Sequence, residues 1–384
     1  MVKEESLLHF AEHVVKPTRI DALLKLEAYY RSNRDELKGA FLNIFSNWCR
    51  TLQHSQQRGM KGPIGHITFS MLRTEIAEGR GIYLAEATDA SWFLDRHPLR
   101  TMYDASWAYR FLEEMIVEVE RSSRSYMGLI NRVELERVKL QEAVYFHQYV
   151  TVLIRHAMSE ASEIAEFAGL DKEEQLEVRV GEYLDHSEAV YKEDRRTHDS
   201  AAVRAWLSEK KEYEHAYSVY QGLDLSNGDY AGVDYQYALF RDTNAANSRF
   251  AASMLLGTRW EGCQLSNVDF TLSMIHGAEF SDCNLSGAVF RAAQGAAGLP
   301  NPTSWEMPGF EAVRFIRSDL TGADFTGANL RGAMFTGASI ENAVFTDAVL
   351  QGVDFSGVDL SGVQFTDSQL ASITLRTSKE AELQ

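Results

Sequence analysis

From about residue 220 to residue 375, a large apolar side chain recurs at nearly every fifth position. The series runs Leu225, Tyr230, Tyr235, Phe240, then Phe250, Leu255, Trp260, Leu265, Phe270, Ile275, Phe280, Leu285 and Phe290. After a gap it continues from Phe310 and Phe315 through Leu320, Phe325, Leu330, Phe335, Ile340, Phe345, Leu350, Phe355, Leu360 and Phe365. A small residue often precedes each by two positions (Ala323, Ala328, Ala333), and Gly often follows by two (Gly322, Gly327, Gly332). Helices and strands place side chains with periods of 3.6 and 2.0, so neither produces a period of five. A short fixed repeat marks a solenoid, in which each unit buries its apolar residue only by stacking on its neighbours.

The motif A-[D/N]-[L/F]-[T/S/R]-G stands almost pure in Ala323-Asp324-Phe325-Thr326-Gly327 and Ala328-Asn329-Leu330-Arg331-Gly332. Here the chain resembles the pentapeptide-repeat family, over residues 221–375. The resemblance implies a right-handed quadrilateral β-helix, with one pentad per side and four sides per coil. It says nothing about residues 1–200.

Residues twenty apart should then stack about 4.8 Å apart, as neighbouring strands do. Phe325, Phe345 and Phe365 make one inner ladder, and Phe315, Phe335 and Phe355 another. Aliphatic ladders (Leu320, Ile340, Leu360; Leu330, Leu350, Leu370) alternate with them, which fills a narrow core evenly. The alternation slips between Phe290 and Phe315, and looping out residues 295–309 restores it, with Phe310 taking an aliphatic position. That segment holds three of the six prolines, together with Trp305 and Met307. Two readings stand side by side. It is a projecting loop that binds something, as loops on rigid scaffolds often do, or Trp305 folds back over the coil flank.

The chain carries 38 basic and 55 acidic residues, a net charge of −17. Residues 221–384 hold 19 acidic and 9 basic residues. In the late coils Asp319, Glu341 and Asp359 share one expected side, and Asp324, Asp347 and Asp367 the adjacent one. Such a face disfavours nucleic acid and favours a basic protein partner. The alternative is that these acids only keep the solenoid soluble. The candidate partner-binding set is therefore Asp319, Asp324, Glu341, Asp347, Asp359, Asp367, Trp305 and Met307. No apolar run is long enough to span a bilayer and no signal sequence is evident, so the expectation is a cytoplasmic protein without a membrane partner. Cys263 and Cys283 lie one coil apart at a small inward position, and two reduced thiols filling core slots are the expected state.

Residues 1–198 read as a mainly α-helical domain, so the fold class is α+β multidomain: a helical domain followed by the β-helix. Apolar stripes run through Ile20, Leu23 and Leu24, then Leu37, Phe41, Ile44, Phe45 and Trp48. Another helix is expected to start near Thr101 and include Met102, Phe111, Leu112 and Met115. A long one spans about 133–165 with Leu140, Val144, His147, Val150 and Ile154 along one stripe. Residues 66–87 suggest a short β-hairpin. The charged stretch 171–199 reads as helix with a linker, and residues 199–220 as a capping helix for the first coil, with Val203, Leu207, Tyr213, Tyr217 and Tyr220 on one side. Residues 376–384 form a tail.

Catalytic signals are weak. His9 and His13 have metal-ligand spacing, but no further Cys or His completes a site. Phosphate-binding loops, dinucleotide turns and nucleophile elbows are missing from the sequence. The expectation is a non-enzyme that needs no cofactor or metal. Its first functional reading is an interaction scaffold, with the helical domain serving self-association or a second partner. The second comes from the resemblance, because some pentapeptide-repeat proteins imitate DNA and bind a type II topoisomerase (gyrase). Against it, Arg241, Arg249, Arg259, Arg314, Arg317 and Arg331 interrupt the negative charge. The tail, RTSKEAELQ, is also short beside the dimerising end that the resemblance implies for such members. An enzyme within residues 1–200 is the third.

Overall fold

The structure is a computed structural model that describes residues 3–211 and 214–375. Two units are resolved: Met1–Arg195 with Asn301–Pro308, and Arg196–Pro300 with Gly309–Gln384.

In the first unit, α1 (Lys3–Phe10) passes through a π turn at Ala11–Val15 into the 42-residue α2 (Lys16–Gln57). The two apolar stripes read from the sequence thus lie on one helix, which buries Leu23, Leu26, Tyr30, Phe41, Phe45, Trp48 and Leu52. The chain continues as β1 (Ile64–Met71), a short α3 (Arg73–Ala77), β2 (Ile82–Thr88) and β3 (Leu99–Asp104). Two longer helices follow, α4 (Ser106–Ser123) and α5 (Arg132–Met158), the latter capped by the Asn131 side chain on the Val133 and Glu134 amides. After α6 (Ala165–Ala168) come β4 (Lys172–Glu182) and β5 (Ser187–Asp194). The five strands form one sheet in the order β3-β2-β1-β4-β5, with β1 and β4 parallel and the other pairs antiparallel.

Three readings of this region are corrected. Residues 171–199 are not helical, because Leu176, Val178 and Val180 alternate inward in β4 while Glu177 and Arg179 face out. The outward charges masked that period of two. Met102 lies in β3 rather than at a helix start, and α4 begins only at Ser106. The helices therefore share the unit with a five-stranded sheet, where the sequence suggested one hairpin. Phe41, Phe45 and Trp48 of α2 meet Phe69 of β1 in aromatic contacts of 5.4–6.4 Å, the tilted geometry that aromatic pairs prefer.

The second unit opens with α7 (Ser200–Ser208), whose first turn is capped by Asp199 accepting from the Ala202 amide at 2.8 Å. The helix stops there instead of reaching residue 220, and Lys210 adopts a left-handed φ of 50° just beyond it. Of the expected stripe, Val203 and Leu207 join the apolar core of the repeats, Tyr220 belongs to a strand, and Tyr213 lies outside the described residues.

Short strands β6 (Val219–Gln221), β7 (Leu239–Arg241), β8 (Arg259–Glu261), β9 (Glu279–Ser281) and β10 (Arg314–Ile316) stack parallel and in register. Between them, bridges join Asn244 to Gln264, Arg249 to Asp269, and Met254 to Met274, so equivalent residues twenty apart pair at five-residue intervals. Across the interruption the offset grows by fifteen: Asn284 pairs with Asp319, Val289 with Asp324, and Gln294 with Asn329. The inner aromatic ladders are stacked, with Phe325–Phe345 centroids at 5.0 Å and Phe335–Phe355 at 4.7 Å.

Phe310 does not take the aliphatic slot. Gly295 occupies it, and the Val313 side chain fills the space a glycine leaves, since a β-carbon on Gly295 would meet Val313 Cγ1 at 2.8 Å. Phe310 instead stacks on His276 at 4.3 Å and bridges Gly298. Residues 376–384, including the expected tail, lie outside the described residues.

Candidate protein-interaction surface

Many pentads carry an Asp or Asn just before the buried central residue, as at Asp319, Asp324, Asp354 and Asp359, and that side chain has a structural task. Asp319, Asp324, Asp354 and Asp359 each accept, through Oδ1, the amide N–H two residues ahead at 2.9–3.0 Å. Asn244 and Asn284 do the same at 3.1 Å. This is an Asx turn, which supplies a partner to a turn amide. The acidic columns are thus partly a by-product of turn formation, and Asn performs the task without charge.

Asp347 fills a different slot. Its φ is 56°, the left-handed conformation that Gly322, Gly327, Gly337 and Gly352 take at the equivalent turn position. Asn342 occupies the same slot with φ 57°. Asp and Asn tolerate this conformation better than most side chains.

Solvent exposure separates the candidates. Asp319, Glu341, Asp347, Asp359 and Asp367 are exposed, whereas Asp324 is half-buried. Partial burial works against the Asp324 carboxylate, but the Thr326 hydroxyl and amide and the Arg291 guanidinium at 2.6 Å hold its pKa below the usual value. Asp359 is also held low, by the Ser361 amide and hydroxyl. Asp367 does not sit on a coil side: it lies in the first turn of α8 (Asp367–Leu370), capped by Thr366 and Gln369. Gln369 in turn donates to Phe345 O and Ala348 O, satisfying carbonyls of the preceding coil.

Upstream coils neutralise many of their acids. Arg241 meets Glu261, Arg314 meets Glu279, and Arg317 meets Asp282 with two guanidinium contacts of 2.6 and 2.8 Å. This changes beyond Arg331. Residues 332–375 hold five acidic side chains (Glu341, Asp347, Asp354, Asp359 and Asp367) and contain no lysine, arginine or histidine. Asp354 was missed in the sequence reading, although its place before Phe355 matches that of Asp324 before Phe325. Glu341 and Asp347 rise from a coil that ladder hydrogen bonds join to the coil before it (Gly322 N–H to Glu341 O and Gly327 N–H to Thr346 O, both 2.8 Å), and Asp359 follows on the next coil, its side chain holding the Ser361 amide. Exposed Val344 and Val349 lie among them.

The two aromatic-loop candidates separate. Met307 is exposed, but Trp305 is buried. Residues 301–308 belong to the first unit, where Trp305 Nε1 donates to the Tyr149 hydroxyl at 2.7 Å and its ring meets Tyr145 edge-on at 5.9 Å. Cys263 and Cys283 are buried and reduced, and each thiol donates to a carbonyl of the preceding coil, as Thr243 and Ser318 do in the same slot. Among the described residues, no group of three or more His, Cys, Asp or Glu side chains is placed to hold a metal, and no helix is long and apolar enough to cross a membrane.

Two family descriptions match this chain: "Pentapeptide repeats (8 copies)" over residues 257–291 and "Pentapeptide repeat region" over residues 309–384. The chain carries pentapeptide repeats. No curated protein matches it. Among solved structures, full-length QnrB1, a plasmid-mediated fluoroquinolone resistance protein, is 18% identical with a TM-score of 0.31, covering 45% of this chain and 91% of its own. HetL, a pentapeptide repeat protein involved in heterocyst differentiation regulation from Nostoc sp. strain PCC 7120, is 18% identical with a TM-score of 0.15, covering 41% and 97%. A pentapeptide repeat protein from the thylakoid lumen of Arabidopsis thaliana is 20% identical with a TM-score of 0.18, covering 39% and 72%. At these scores the structural likeness carries no argument about function.

Proposed function

We propose that this protein is a non-enzymatic protein–protein interaction scaffold, whose last coils hold a fixed acidic surface toward a basic partner. The observation that carries the proposal is the run of five acids without a cation over residues 332–375, after coils in which arginines offset many of the acids. A fixed array of like charge raises the local concentration of an oppositely charged partner and speeds its association. In this reading the repeats form a right-handed, four-sided β-helix. Pairing at five-residue intervals within each twenty-residue offset supports the four sides, and the right hand rests on the resemblance to the repeat family. The first unit serves self-association or a second partner. Affinity capture with the intact chain and with a Glu341→Lys, Asp347→Lys, Asp359→Lys variant tests the proposal. Partners retained by the intact chain and lost by the variant support it, and equal retention by both refutes it.

A second reading makes the same surface a DNA mimic that binds a type II topoisomerase. The stretch 332–375, which holds no lysine, arginine or histidine, favours it, because the arginines that weigh against mimicry (Arg241, Arg249, Arg259, Arg314, Arg317 and Arg331) all precede it. Binding of purified gyrase to the intact chain, abolished in the lysine variant, would select this reading over a general scaffold.

A further inference from the structure

β3 is an edge of the first unit's sheet, and its pairing with β2 fixes which of its backbone groups are free. The Ala105 N–H donates to Gly81 O at 2.7 Å, which makes these residues a hydrogen-bonded antiparallel pair. Such pairs recur at every second residue. Leu99, Thr101 and Tyr103, opposite Ala87, Ala85 and Tyr83, therefore turn their N–H and C=O toward β2. The other side of β2 agrees, since Leu72 N–H donates to Ile82 O and so assigns the even-numbered residues of β2 to β1. Arg100, Met102 and Asp104 then direct their backbone groups away from the sheet. Among the described residues, no backbone hydrogen bond outside the sheet reaches them. All three side chains are exposed, Met102 by 56%.

Native proteins usually blunt such an edge with bulges, prolines or charged side chains, and charges of one sign along an edge also repel a second copy. β5, the opposite edge, is irregular, with a register shift in its pairing between Val178 and Arg179. β3 pairs regularly over its whole length, holds no proline, and carries charges of opposite sign on either side of an apolar residue.

We propose that β3 pairs antiparallel with β3 of a second copy of this chain, about a dyad through Met102. The outward groups at 100, 102 and 104 allow about six ladder hydrogen bonds in this register. The same register sets Arg100 opposite Asp104 of the second copy, twice, with the two methionines between them. Opposite charges directly across strands stabilise the pairing. The strand is self-complementary, as an isologous two-fold interface requires. Glu86 holds Arg100 Nε at 2.8 Å and Asp104 Oδ1 caps the Ser106 amide at 2.8 Å, so both charges are oriented before the second copy arrives. The contact makes one ten-stranded sheet from two five-stranded ones. It does not depend on the acidic coils, and its test is separate from theirs.

The experiment is the mass of the intact chain in solution, by light scattering across a range of protein concentrations, with three variants. Met102→Pro removes an outward donor and leaves the β2 bonds in place, since proline is tolerated on an edge. Asp104→Arg sets arginine against arginine. Arg100→Asp with Asp104→Arg restores opposite charges across the dyad. The proposal expects a reversible dimer for the intact chain, a dissociation constant raised about tenfold or more in the two single variants, and recovery in the double swap. Circular dichroism confirms that each variant is folded, and if Met102→Pro is not, the charge pair alone decides. A monomer at every concentration, or a dimer unchanged by both single substitutions, overturns the proposal.

Discussion

Trp305 donates its indole N–H to the Tyr149 hydroxyl at 2.7 Å, joining residues 156 positions apart in the chain. Tyr149 in turn donates its hydroxyl hydrogen bond to Glu27 Oε2 at 2.8 Å, and Glu27 accepts from Arg31 at 2.5 Å. A loop that interrupts the repeats thus supplies a buried side chain to the first unit. Trp305→Phe keeps most of the ring and loses the donor, which costs about 0.5–1.5 kcal/mol. Trp305→Ala also leaves a cavity and costs about 3–5 kcal/mol. Urea unfolding of the first unit, followed by circular dichroism, should rank intact above Phe above Ala. Equal midpoints would show that the tryptophan adds nothing to this unit.

Acid should loosen the same unit through His147. Burial, reinforced by His186, lowers its pKa from the ordinary 6.5 to about 4. Its Nδ1 contacts the Tyr83 hydroxyl at 2.7 Å. The folded state holds the neutral ring, so the unfolded state binds the extra proton between the two values. The contribution to stability is complete above about pH 6.5 and is lost as the pH falls toward 4, by up to about 3 kcal/mol. Unfolding free energies at pH 7 and pH 5 should differ less in His147→Gln than in the intact chain. An identical pH slope would contradict this assignment.

The turn slots predict opposite effects for two substitutions at one residue. Asp347 stands at φ 56°. Asp347→Gly should leave the repeats as stable as before or stabilise them by up to about 1 kcal/mol, while Asp347→Val should destabilise them by about 1–2 kcal/mol. Thermal unfolding of the repeat region measures both, and a stabilising valine would rule out the turn assignment.

Phe345 stacks between Phe325 at 5.0 Å and Phe365 at 5.4 Å and is 1% exposed. Phe345→Asp places an unpaired charge in that ladder and should cost several kcal/mol. Loss of the repeat region's cooperative transition is the expected result, and a retained transition would contradict the stacked core.

The repeat half was legible because its period of five has no other physical source, and because stacking makes each residue's partner predictable from its number. Phe310 was misplaced because arithmetic alone could not show that Gly295 and Val313 share one core slot. In the first unit, β4 was missed because Glu173, Glu174, Glu177 and Arg179 dominate its composition, while only Leu176, Val178 and Val180 record its buried face. The acidic surface was read as charge alone. The Asx turns of Asp319 and Asp359 were hidden, because an acid serving a turn and an acid serving a partner look the same in sequence.

Isosteric neutralisation separates those two roles. Asp354→Asn and Asp359→Asn keep the Asx turns, as Asn244 and Asn284 do upstream, and Asp347→Asn keeps a residue suited to the left-handed slot. With Glu341→Gln added, the coils keep their fold and lose four charges. The decisive measurement is capture from native lysate at low ionic strength, where exposed charges are least screened, comparing this variant with the intact chain. The account predicts that the intact chain retains a basic protein and the isosteric variant does not. The same protein retained equally by both would show that the terminal acids serve only the turns.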